Sequence, residues 1–148
     1  MDFALRKSCF QIAKSLQKGD VLFCKKFKFP GGSQKDKYLL ILSNCISSKF
    51  YIFVLLTSQT GFYKNQYNRI DTIWLHGNKI KLFPLDTVID LKKFFYWRAS
   101  QIGEKIYDGT LKRAGKIPDD LIIHIDSVVE KAKTLNPKIK SLILGKQI

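Results

Sequence analysis

His76 stands beside a Gly-Asn pair, and an imidazole with an ordinary pKa near 6.5 can give or take a proton there as a general acid or base. Arg69 and Asp71 form a second acid–base pair if the strand that carries them meets a reactive phosphate. His124 lies inside a helical pattern and reads as a helix-surface residue. Cys9, Cys24 and Cys45 are odd in number and lack CxxC spacing, so they support neither a disulfide framework nor a tetrahedral zinc site. They read as small apolar side chains, and no metal or other cofactor is expected.

Lysine is the other chemical resource. The 148 residues include 26 Lys or Arg against 12 Asp or Glu, a formal net charge of +14, and only Arg6, Arg69, Arg98 and Arg113 are arginines. A field of that sign attracts polyanions, with nucleic acid the first choice and an acidic protein the second. Lys25, Lys26 and Lys28 form one basic run and Lys35 and Lys37 another; each is either a solvated face or the wall of a phosphate path. Lysine meets phosphate as a point charge, without the bidentate fork of arginine.

These groups need a scaffold. With 45% hydrophobic residues the chain can bury a core, and its length suits one domain over 1–148. The longest apolar stretch, Tyr51 to Leu56, is far short of the roughly 20 residues that span a bilayer. Met1 to Leu16 is charged throughout, unlike a secretory signal, so a cytoplasmic protein is expected.

Phe3 to Gln17 has helical spacing, with Asp2 as N-cap, giving an N-terminal helix over 1–17. Residues 18–117 read as a β core. Val21 to Phe29 alternates like a strand, and a loop follows from Pro30 through Lys37. Tyr38–Leu42 and Phe50–Leu56 are continuous apolar runs, as expected for strands covered on both faces. Gly61 to Asn68 is a polar, aromatic loop. Ile70–Leu75 and Lys79–Phe83 flank His76-Gly77-Asn78 like a hairpin, and Asp108-Gly109 marks a second hairpin. The dense aromatic run Phe94, Phe95, Tyr96 and Trp97 reads as core or dimer interface. Residues 118–148 form a C-terminal helix and tail: Pro118, Asp119 and Asp120 start it, an apolar stripe from Leu121 to Ala132 follows, and Asn136-Pro137 stops it.

Gly19-Asp20-Val21-Leu22, a Gly-Gly-Ser loop, Tyr38 to Asn44 ending in Ser-Asn, and Val54 to Ser58 ending in Thr-Ser follow one another in an order that resembles the MazF/PemK toxins of type II toxin–antitoxin systems. The likeness is good over about residues 18 to 58, weaker over 79 to 91, and only architectural over the final helix. It implies an α+β, mainly β fold, an SH3-like small barrel with a helix at each end, acting as a homodimer. It further implies a metal-independent endoribonuclease, a hydrolase of single-stranded RNA that an acidic cognate antitoxin holds inactive.

Residue by residue, the resemblance puts the catalytic basic group at Lys37, where the family usually has arginine. The strand-ending pair is Thr57-Ser58, whose hydroxyls would orient a phosphate, and the loop serine is Ser33. RNA-binding side chains would come from Ser33, Lys35, Lys25, Lys26, Lys28 and Arg69. Bases would stack on Tyr63, with Phe62 and Tyr67 as neighbours. The later Arg-x-Asp pair of some members has no counterpart in Leu82-Phe83-Pro84. The alternative reading is therefore a degenerate module that binds nucleic acid or an acidic partner without cleaving. A third is a toxin of related type acting on a protein.

Overall fold

The structure, a computed structural model, describes residues 2–46, 49–58, 72–77, 82–133 and 135–145. In chain order these form α1 (Phe3–Ser15), β1 (Asp20–Lys28), β2 (Gln34–Ile41), β3 (Phe50–Thr57), β4 (Thr72–Leu75), β5 (Thr87–Asp90), β6 (Phe95–Arg98), α2 (Ala99–Tyr107), β7 (Leu111–Lys116), α3 (Asp119–Lys131) and α4 (Pro137–Leu144).

The α+β class holds. The strands make one antiparallel sheet in the order β4-β5-β3-β2-β1-β7, with β6 also on β3. Among the described residues its end strands, β4 and β7, do not pair, so the sheet is not closed as a barrel would be, and the expected small barrel is corrected to that extent. Closure is not needed to exclude water, because helices cover both faces. One face buries Leu22, Leu39, Ile41 and Phe53 with Ala13 and Leu16 at the end of α1 and Ile102 of α2. The other buries Leu40, Ile52, Val54 and Ile89 with Leu121, Ile125 and Val129 of α3 and Ile143 of α4. Side chains alternate across a strand, so β2 and β3 need apolar residues at successive positions, which is the continuous pattern seen in their sequences.

The two terminal helices follow their signals. Asp2 Oδ1 accepts from the Leu5 amide at 3.0 Å, capping α1 as expected. Leu121, Ile125 and Val129 fall on the buried stripe of α3. Asn136-Pro137 does not simply end the chain's helix: Asn136 Oδ1 accepts from the Lys138 amide at 2.8 Å and starts α4 with proline in its first turn.

Three further expectations are corrected. Asp108-Gly109 is not a hairpin tip, because residues 99–107 are the helix α2, inside the stretch read as all β. Gly109 has φ +83° and its amide bonds to Ile106 O at 3.2 Å, so the glycine serves the helix end, a use of positive φ as common as the hairpin turn. Gln34–Lys37 is strand, not loop. Phe29 N donates to Ser33 O at 2.9 Å, closing the turn over 30–33 with Gly32 at φ +92°, so pairing resumes at Gln34. Finally, β4 pairs with β5, four residues beyond Phe83; residues 70, 71 and 78–81 of the expected hairpin lie outside the described residues.

Candidate phosphate-binding site on strands β2 and β3

Tyr38 pairs with Leu56 across β2 and β3, so one step further along the antiparallel register Lys37 comes opposite Thr57 on the same face. Lys35, two residues before Lys37 on the same strand, shares that face. All three side chains line one cavity of about 670 Å³, together with Ser33 of the β1–β2 turn. Three of the residues that the resemblance singled out are thus neighbours.

A split in the sheet makes this cavity. The outer edge of β3 is shared: Phe50–Phe53 pair with β6, whereas Leu56 and Thr57 pair with β5. Between the two the edge opens, and the connection from β5 to β6 supplies Lys92, Lys93 and Phe94 to the cavity wall. Leu55, Phe29 and Phe95 give it apolar surface. Beneath lies an aromatic cluster in which Phe27 meets Phe29, Phe95 and Trp97 at centroid separations of 5.1, 5.3 and 5.6 Å. Such pairs contribute about 0.5–1.5 kcal/mol each beyond their burial, which stiffens the strand ends that carry the lysines. Phe95 and Trp97 are half-buried and pack against the core, whereas Tyr96 between them is 70% exposed.

Lys37 is half-buried, and burial holds its amine below the usual lysine range; the neighbouring Lys35 ammonium pushes in the same direction. Among the described residues no ion pair neutralises it. Asp90 also lines the cavity, 5% exposed, and its Oδ1 accepts from the Lys92 amide at 2.9 Å. The arrangement is a cationic recess with a hydroxyl, one carboxylate and a perturbed amine, the set needed to hold a phosphate and move protons beside it.

Other expected residues stand elsewhere. Ser58 follows Thr57 and turns to the opposite face, where it lines a smaller cavity of about 260 Å³ whose wall also includes Lys37. Lys25, Lys26 and Lys28 are exposed and line neither cavity. A bulge between Cys24 and Phe27 turns Lys25 and Lys26 outward, with Lys26 at φ +51° and its amide donating to Asp36 Oδ1 at 2.9 Å, and Lys28 faces out by alternation after Phe27. His76 is exposed just past β4 and lines neither cavity, and His124 is exposed on α3. Tyr63, Arg69 and Asp71, with Phe62 and Tyr67, lie outside the described residues. Among the described residues, no group of three or more His, Cys, Asp or Glu could hold a metal ion, and no helix is long and apolar enough to cross a membrane.

Asp90, Lys92 and Lys93 were not legible as site residues. They are more than fifty positions from Lys37, and the pairing of β5 and β6 with β3 brings their segment to it. The one local signal was a carboxylate ending the apolar strand Thr87–Asp90 just before a lysine pair. No family model matches this chain, and no curated protein matches it either.

Proposed function

We propose that the chain is a metal-independent endoribonuclease for single-stranded RNA, a toxin of the MazF/PemK kind working as a homodimer in the cytoplasm under an acidic antitoxin. One observation carries this reading: Lys37 and Thr57 line one cationic cavity. The antiparallel β1–β2–β3 meander, with β7 on the far side of β1, supports kinship with an SH3-like core.

In the reaction the RNA 2′-oxygen forms a bond to the adjacent phosphorus while the bond from phosphorus to the 5′-oxygen breaks. The 2′-hydroxyl proton passes to Asp90. The Lys37 ammonium, whose lowered pKa makes it a better acid than an ordinary lysine, protonates the departing 5′-oxygen. Lys35 and Lys92 offset charge on the phosphoryl oxygens, and the Thr57 hydroxyl orients them. A labelled single-stranded RNA incubated with the protein in EDTA is expected to be cleaved. Lys37→Ala, if folded by circular dichroism, should lower the rate about 100-fold or more, the usual share of general acid catalysis. Full activity in that variant would remove the site.

A second reading, binding without cleavage, is favoured by the cations themselves. Among the described residues no arginine lines the cavity: Arg6 pairs with Glu104 and Arg113 with Asp20. RNA binding that weakens with salt, with no product after long incubation, would select it.

A further inference from the structure

A second and larger cavity, about 1120 Å³, opens where α1, α2 and α4 meet β6 and the start of β3. Lys14, Lys49, Arg98 and Lys138 line it, and no acidic residue does among those described. Two aromatic rings, Phe50 and Tyr96, sit edge to face in its wall with centroids 6.1 Å apart, and Tyr96 is the more exposed of the two.

The two cavities lie on opposite faces of the sheet, because successive side chains of β6 alternate, and they share its outer edge. Phe95 of β6 belongs to the lysine cavity, and Tyr96 and Arg98 belong to the larger one. The Ala99 amide bonds to Lys49 O at 2.7 Å, so odd-numbered backbone groups of this segment face β3. Tyr96 therefore projects its backbone away from β3, on the edge that separates the cavities. Among the described residues β6 pairs only with β3.

We infer that this second cavity is an extension of the nucleic-acid path: a single strand bound at Lys35 and Lys37 continues over the β6 edge, stacks a base on Tyr96, and sets its next phosphates among Lys49, Arg98 and Lys138. The inference depends on the reading of the lysine cavity as an RNA site. A cationic groove joined to an exposed aromatic is the usual way a protein holds unpaired bases without reading their sequence. The apolar walls accept a base or sugar, and four cations with no acidic residue among the described lining favour a polyanion over a neutral ligand. A second copy of this strongly basic chain is disfavoured for the same reason.

Deoxyuridine oligonucleotides test this, since without a 2′-hydroxyl they cannot be cleaved by the proposed route. Binding of a fluorescent trimer and a twelve-mer is measured by anisotropy for the native protein, Tyr96→Ala, Lys49→Ala and Lys37→Ala. Tyr96→Ala should weaken the twelve-mer about 5- to 150-fold, the range for one stacked base, and leave the trimer within twofold. Lys49→Ala should weaken only the twelve-mer and reduce its salt dependence. Lys37→Ala should weaken both. Equal effects of Tyr96→Ala on both lengths, or none on either, would overturn the extension while leaving the lysine cavity in place. Native protein that binds neither oligonucleotide would overturn the RNA reading and the extension together. Tyr96 is exposed, so its truncation leaves folding intact, which thermal unfolding checks.

Discussion

Replacing Lys35 and Lys92 together by alanine should change how RNA affinity responds to salt, because both line the β2–β3 cavity. A protein that neutralises phosphates releases their counterions, and for single strands each contact contributes about 0.7 to the slope of log affinity against log salt. Loss of two contacts therefore flattens the slope by about 1.4. Between 50 and 200 mM salt, a fourfold change, the native affinity should fall about 7-fold further than the variant's. The comparison pair is Lys25→Ala with Lys28→Ala, which removes the same charge from exposed positions outside the cavity. Both pairs lower the net charge equally, so a general field effect acts alike on the two. Anisotropy titrations of a labelled twelve-nucleotide strand at four salt concentrations give the slopes. Equal flattening by the two pairs would show that the cavity holds no phosphate and that the charge acts only at long range.

Other outcomes follow from single contacts. Tyr51→Phe removes the hydroxyl that donates to Ala13 O at 2.6 Å, a carbonyl in the last turn of α1. Leaving that buried acceptor unpaired costs about 1–3 kcal/mol, or roughly 2–12 °C in Tm for a chain of this size; urea unfolding checks it. Burial raises the Tyr51 pKa, so the folded state keeps a proton that the unfolded state loses near pH 10. Native stability should therefore fall as pH rises past 10, and this limb should be shallower in Tyr51→Phe. Lys37 has the opposite linkage, because its folded pKa lies below the unfolded value near 10.5. The cost of its buried charge is present at neutral pH and disappears as pH rises through that window, so Lys37→Met should be stabilised at pH 7 and lose the advantage by about pH 10.5, as denaturation at several pH values will show. Gly103→Ala would set a Cβ 2.9 Å from the Phe10 ring. Overpacking of about 1–3 kcal/mol outweighs the helix gain of about 1 kcal/mol from losing glycine, so a lower urea midpoint is expected.

Much of this architecture was written locally. The apolar runs of β2 and β3, the Asp2 cap and the stripe of α3 each depend on neighbours a few residues away, and each formed where its pattern stood. Asp108-Gly109 misled because the same dipeptide serves a hairpin tip and a helix end, and only the packing of Ile102 under the sheet decides between them. Residues 34–37 read as loop because their charges alternate with one another rather than with apolar residues; Lys35 and Lys37 face a cavity instead of a core. The site divides in the same way. Lys37, Thr57 and Ser33 were legible through the order of short motifs, whereas Asp90, Lys92 and Lys93 join them only through strand pairing across a long separation. Lys25 and Lys26 point away from the cavity because a bulge, invisible in composition, reverses their direction.

The proposed reaction would leave a chemical signature at the RNA ends. Attack by the 2′-oxygen gives a 2′,3′-cyclic phosphate on one fragment and a 5′-hydroxyl on the other, and mass spectrometry of RNA digested in EDTA reads both. Those ends from the native protein, and their loss in Lys37→Ala, are the expected result; intact RNA, or fragments carrying 5′-phosphates, would contradict a lysine-driven transesterification at this site.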